Sequence, residues 1–314
     1  MRTLTSGLAI PLHLSVVLSG LLLLVTAMTV AAAQRPSVIV LPGASSTEGI
    51  AVGDGATFFA GDLFRGDIFR GDLQRGTAEL FIHAPSGRMA VGMKVDQTSG
   101  LLFVAGGPTG QAYVYDTATR NSVATYQFGD PVAGTFINDV TIVRGVGAWF
   151  TDSAQPKLYL IPIGPNGTLG VARTLTLSGP AADNSHAINL NGIVATPDGA
   201  TLIVAHTDLG QLFTVNPNNG ASALIAGVSV LNVDGILLEA GRLFVVQNVN
   251  NQVDVVRLSS DLKSGVIENV ITDPAFEVPT TIARHGNQLA VVNAKFDTGF
   301  PPTATQFEVV LFDR

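Results

Sequence analysis

The chain has 314 residues, no cysteine, and 17 basic against 24 acidic side chains, for a net charge of −7. The missing cysteines exclude disulfides, thiolate metal centres and cysteine nucleophiles, and an acidic chain without basic clusters argues against a nucleic-acid partner. At 46% hydrophobic and 13% charged it is too apolar for disorder and ample for a large core.

The first element is a leader. Arg2 supplies a positive start, Leu14 to Val30 is almost unbroken apolar sequence, and Ala31-Ala32-Ala33 precedes Gln34. This reads as a secretory signal over residues 1–33, cleaved to give a mature chain from about Gln34, extracellular or periplasmic and free of the membrane. The rival is an uncleaved anchor helix, since the apolar run is just long enough to span. The small residues at its end favour cleavage.

From Ser37 onward the pattern is short runs of Val, Ile, Leu and Phe split by Gly, Asn, Asp and Pro, which is strand and turn chemistry. One phrase recurs six times. Its openings are Glu48-Gly49-Ile50-Ala51-Val52, Val91-Gly92-Met93-Lys94-Val95, Asn138-Asp139-Val140-Thr141-Ile142, Asn191-Gly192-Ile193-Val194-Ala195, Asp234-Gly235-Ile236-Leu237-Leu238 and Thr280-Thr281-Ile282-Ala283-Arg284. A turn, a second strand and a third strand follow each opening. The spacings of 43, 47, 53, 43 and 46 residues match the blades of a β-propeller. The expected fold is therefore all-β, a six-bladed propeller over residues 34–314. The last copy ends after its third strand, near Gln306-Phe307-Glu308-Val309, so Ser37-Val38-Ile39-Val40-Leu41 is expected to supply the missing strand and close the ring. A β-sandwich does not explain six evenly spaced copies.

In such a ring the residues that open the innermost strands converge on one axis. Here they include Glu48, Asn138, Asn191 and Asp234. Two carboxylates and two amides are hard oxygen ligands suited to Ca²⁺, Mg²⁺ or Mn²⁺. Each one alone is also an ordinary turn residue; their shared phase in the repeat is what singles them out.

These stretches, with Asn191-Gly192-Ile193-Val194-Ala195-Thr196-Pro197-Asp198-Gly199-Ala200-Thr201-Leu202, resemble the six-bladed propellers of the senescence-marker-protein, gluconolactonase and luciferin-regenerating-enzyme group. The resemblance implies a divalent ion, often calcium, in the central channel. It implies Glu48, Asn191 and Asp234 as ligands, with Asn138 at a position that contacts metal or substrate. The sequence departs from the better-known hydrolases of this kind: a paraoxonase-type histidine pair has no counterpart, and a substrate-binding arginine cannot be placed. Asp62, Arg65, Asp152, Ser153, His206, Asn248, Asn250 and Asn293 fall in loops expected on the same face. Each is either a pocket residue or a solvated loop residue. His186, five residues before Asn191, is a candidate proton shuttle.

Two functions fit this reading. One is a metal-dependent lactone or ester hydrolase with Asp234 as general base or nucleophile. The other is a non-catalytic binding propeller with a structural calcium. Either acts as a monomer, the hydrolase on a small molecule and the binding propeller on a small ligand or a protein. Two Arg-Gly-Asp phrases within residues 61–73 more plainly serve blade turns than adhesion, and Asn166-Gly167-Thr168 is a sequon on a surface turn.

Overall fold

In the computed structural model, Gly7 and residues 37–313 are described; the leader read over residues 1–33 lies, Gly7 apart, outside them. The described chain forms six four-stranded antiparallel sheets. Their inner strands are Thr47–Val52, Met93–Asp96, Ile137–Val143, Leu190–Ala195, Val233–Glu239 and Pro279–His285. These are blades one to six. Five sheets take their four strands from consecutive sequence. The sixth takes its outermost strand, Val38–Val40, from the other end of the chain. There Ile39 pairs with Val309. Its third strand is Glu308–Asp313, two residues later than expected; Phe307 before it is buried, and its carbonyl accepts the Leu41 N–H. Among the described residues no helix is long and apolar enough to cross a membrane.

The sequence of the middle strands follows from where they lie. A strand sandwiched between two neighbouring sheets is buried on both faces, so it reads as a continuous apolar run rather than an alternation. Leu101–Ala105 is buried at every residue, whereas the outermost Thr77–Ile82 is largely exposed. The core is accordingly not central. It is six apolar clusters, each shared by two adjacent blades. One joins Phe59 and Phe81 of blade one to Met93, Leu102 and Tyr113 of blade two. Another joins Ile50 and Phe58 of blade one to Ile39, Val292 and Phe307 of the sixth sheet.

At the axis the six inner strands come into direct contact. A Cβ on Gly49 would run into the Val91 carbonyl, and one on Gly192 into the Asp234 carbonyl. One on Gly235 would lie 2.8 Å from Thr281 Cα. Glycine at this level lets each backbone touch the next. Two blades use a polar side chain at the same level instead. Asp139 accepts the Ile193 N–H of blade four at 3.2 Å. Thr281 accepts the Ile50 N–H of blade one at 2.9 Å and donates to the Glu48 carbonyl at 2.7 Å.

This packing yields a direct test. Gly192→Ala forces backbone apart in a filled region, and overpacking of that kind costs about 1–3 kcal/mol. Equilibrium denaturation should show that loss; an unchanged midpoint would mean the strands are not in contact at the axis.

Candidate metal centre

One residue before that contact level, five of the six inner strands carry a β-bulge. Thr47 pairs with Asp62 and Ile50 with Ala60, so Glu48 and Gly49 together face a single residue. The same slip occurs at Asn138, Asn191, Asp234 and Thr280. A bulge re-aims a side chain, and here it does so at the same height in successive blades. Glu48, Asn138, Asn191 and Asp234 all line one cavity of about 420 Å³, and each is buried. The four expected residues are thus brought together.

Their orientation is set by hydrogen-bond arithmetic. The Ser153 hydroxyl gives its one proton to the Leu190 carbonyl at 2.5 Å. It can then only accept from Asn138, and does so from Nδ2 at 2.8 Å. Thr207 likewise donates to the Val233 carbonyl at 2.7 Å and accepts from Asn191 Nδ2 at 3.0 Å. Both amides therefore turn their oxygens away from these hydroxyls. Asp234 Oδ2 accepts from Asn248 Nδ2 at 3.0 Å, and the Val249 N–H holds Asn248 Oδ1 at 2.6 Å. What remains is four buried oxygens without a hydrogen-bond partner: Glu48 Oε2, Asn138 Oδ1, Asn191 Oδ1 and Asp234 Oδ1. Buried acceptors are normally satisfied, and four orphans on one cavity are what a bound hard cation would satisfy. Among the described residues no three acidic, histidine or cysteine side chains form a metal group by themselves; the two amides are what complete this set.

The charges agree with that fit. Burial pushes Glu48 well above the usual carboxylate range, and the charges of Asp234 and Asp139 push it further. Burial raises Asp234 to about 7, against the pull of the Asn248 bond. Asp139 is raised to about 6 by burial, offset by the Val140 N–H and by Lys94. Among the described residues no lysine, arginine or histidine lines the cavity.

The other loop residues divide. Ser153 and Asn248 line the cavity and orient Asn138 and Asp234; Thr207, which sequence reasoning passed over, does the same for Asn191. The signal was available: Ser153, Thr207 and Asn248 each directly follow a second strand. Asp62, Asp152, His206 and Asn293 are buried and hold loops instead. Asp62 accepts the Ser45 and Arg65 N–H groups, Asp152 those of Phe136 and Ala154, and Asn293 that of Glu277. Arg65 pairs with Asp62 at 3.0 Å, and Asn250 donates to Gln247. His186 packs edge-on to His206 at 5.6 Å and is not in the cavity wall, so it is not placed to shuttle protons there. Asp67 of the first Arg-Gly-Asp is buried and accepts the Ala84 N–H, and the second phrase lies in a strand.

No family model and no curated protein matches the chain. Solved structures do. The chain is similar to the major allergen Mala s 1 of Malassezia sympodialis, with 14% identity over 89% of this chain and 97% of that one, at a TM-score of 0.67. It is similar to the calcium-binding protein regucalcin from Agrobacterium tumefaciens, with 16% identity over 87% and 92%, at 0.61. Virginiamycin B lyase from Staphylococcus aureus shares 14% identity over 82% and 80%, at 0.58. At these identities the likeness is one of fold.

The raised carboxyls give a pH signature. Unfolded carboxyls titrate near 4, so between about pH 4 and 7 the chelator-treated folded state holds more protons than the unfolded state, and stability falls as pH rises. Thermal unfolding of chelated protein at pH 5.5 and 8.5 should show this loss, reduced in Asp234→Asn and Glu48→Gln. Parallel profiles for wild type and variants would contradict it.

Proposed function

We propose that this protein is a secreted, divalent-metal-dependent hydrolase of lactones or esters, acting as a monomer on a small molecule. The observation that carries the reading is the set of four partnerless buried oxygens on one cavity. Glu48, Asn138, Asn191 and Asp234 would hold the ion, and oxygen-only ligands favour Ca²⁺. When bound, such an ion supplies Lewis-acid polarisation of a substrate carbonyl.

The chain's own residues divide the remaining work. Asn138 and Asn191 have no acidic proton to transfer and act as fixed dipoles. Glu48 has no orienting amide of the kind that holds Asp234, and is assigned to charge balance. Asp234 has one oxygen held by Asn248 and the other facing the cavity. An oriented carboxylate of this kind is placed to take a proton from water or to attack a carbonyl carbon. The same oxygens serve the second reading, a binding propeller with a structural calcium, and that reading takes over if a calcium-loaded protein hydrolyses nothing.

Export rests on the leader over residues 1–33, and intact mass of the secreted protein should place its start near Gln34. We also propose that the pairing of Val38–Val40 with Glu308–Asp313 is what clasps the ring shut.

A panel of lactones and aryl esters, assayed with calcium and with chelator, tests the hydrolase. Activity should require the metal. Asp234→Asn should lower turnover about 10²–10⁴-fold, while Glu48→Gln should mainly weaken calcium binding, by at least the ~10–100-fold seen for outer-shell partners. Tight calcium binding with no turnover of any panel member would end the hydrolase reading. For the clasp, Ile39→Ala should cost about 2–5 kcal/mol in reversible unfolding; a loss near zero would show that the ring holds without it.

A further inference from the structure

Resting on the reading of this cavity as the ligand site, we infer that the ligand is neutral and carries an alkyl or aryl group, and that Phe296 and Phe300 form the shelf that selects it. The cavity offers little to a sugar or an anion. Among the described residues no cationic side chain lines it, and its acids are Glu48, Asp234 and Asp208. The two charges of a bound divalent ion would be offset by Glu48 and Asp234, with Asp208 adding a further negative charge, so no excess positive charge is left for an anion. The Ser153 and Thr207 hydroxyls are already engaged with backbone carbonyls. The Asp208 carboxylate accepts the Ala187 and Ile188 N–H groups at 3.0 Å each. Apart from Asn232, what remains around the oxygen cluster is apolar: Leu63, Val91, Phe136, Ile188, Val249 and the two phenylalanines of blade six.

Those phenylalanines stand on a built platform. Phe300 is 69% exposed, yet its ring is held edge-on between Phe64 at 5.1 Å and Phe296 at 5.4 Å. The loop beneath them starts at Lys295, a non-glycine residue in the left-handed region with φ +55, beside Val278 with φ +54. A β-branched residue there is strained, and such strain persists only where the surroundings over-determine it. The surroundings do so. The Ala294 N–H bonds the Val278 carbonyl and the Lys295 N–H bonds the Glu277 carbonyl. Asn251 Oδ1 accepts the Val278 N–H at 2.7 Å. The Lys295 ammonium bridges Glu277 at 2.5 Å and the buried Glu308 at 3.0 Å. Thr303 then ties the loop back to Thr298 through two hydrogen bonds. An exposed aromatic on a strained, cross-braced loop at the rim of the oxygen cluster is an apolar contact surface held in place before any ligand arrives.

Binding of 2-alkylcyclopentanones to the calcium-loaded full chain tests this without needing turnover, since these ketones have a carbonyl and no bond to hydrolyse. Calorimetry from the methyl to the octyl member should show affinity rising about two- to fourfold per added methylene. Phe300→Ala, at an exposed position and with its melting temperature checked, should flatten that series, and Phe300→Leu should restore part of the slope. A flat wild-type series, or one that Phe300→Ala leaves unchanged, overturns the inference. If the series rises as expected but the matching γ-lactones are not hydrolysed, the shelf stands and the hydrolase reading fails.

Discussion

Six backbones meet round one axis, and at one height of the ring four of them leave no room for a Cβ atom; that crowding governs the rest of the molecule. At that height the chain carries Gly49, Gly92, Gly192 and Gly235, or a side chain that bonds the next blade, as Asp139 and Thr281 do. The bulge at the same point supplies the extra residue that turns Glu48, Asn138, Asn191 and Asp234 toward one cavity. Contact and convergence are thus one geometric event. A fold that brings its inner strands this close presents side chains from distant parts of the sequence to a common point.

Convergence has an electrostatic cost. Two carboxylates sit buried with no cationic side chain in the same cavity. The nearest lysine influence, from Lys94, falls on Asp139 instead. Like charges removed from water push each other toward the protonated form, and both carboxyls are raised. A divalent cation would offset that cost and at the same time satisfy the two amide oxygens. The hydroxyls of Ser153 and Thr207 make this preference rigid, because each has one proton, already given to the next blade. The amide oxygens cannot swap with their nitrogens without breaking the contact between blades.

Much of this was legible in the sequence because a repeat reports phase. Six copies at a common period placed the inner strands, and the shared phase of Glu48, Asn138, Asn191 and Asp234 placed the oxygens. Among the other residues the signal was weaker: Ser153, Thr207 and Asn248 share only the position directly after a second strand. Asp152 and Ser153 are neighbours, yet one is a buried loop cap and the other orients the Asn138 amide, a difference made by which side of a strand end each occupies. Phe296 and Phe300 were not legible at all: they lie in the long connection before the last strand, where the repeat loses its phase. Blade two is the irregular copy. Val91 opens it, and its inner strand begins only at Met93, so one sixth of the ring adds apolar wall where its neighbours add oxygen.

The sixth sheet draws its strands from both ends of the described chain, and this bears on how the protein is made. Five sheets can assemble as the chain emerges, each local in sequence. The cluster that joins Ile39 and Phe307 to Phe58 cannot form until Phe307 has been synthesised. Until then Ile50 and Phe58 present an unfilled apolar face, the kind of surface that chaperones bind and that aggregates when they do not. Closing so long a loop is also entropically slow. The time between the synthesis of Glu308–Asp313 and the seating of Val38–Val40 against it is therefore the interval in which this chain is most exposed to misassembly.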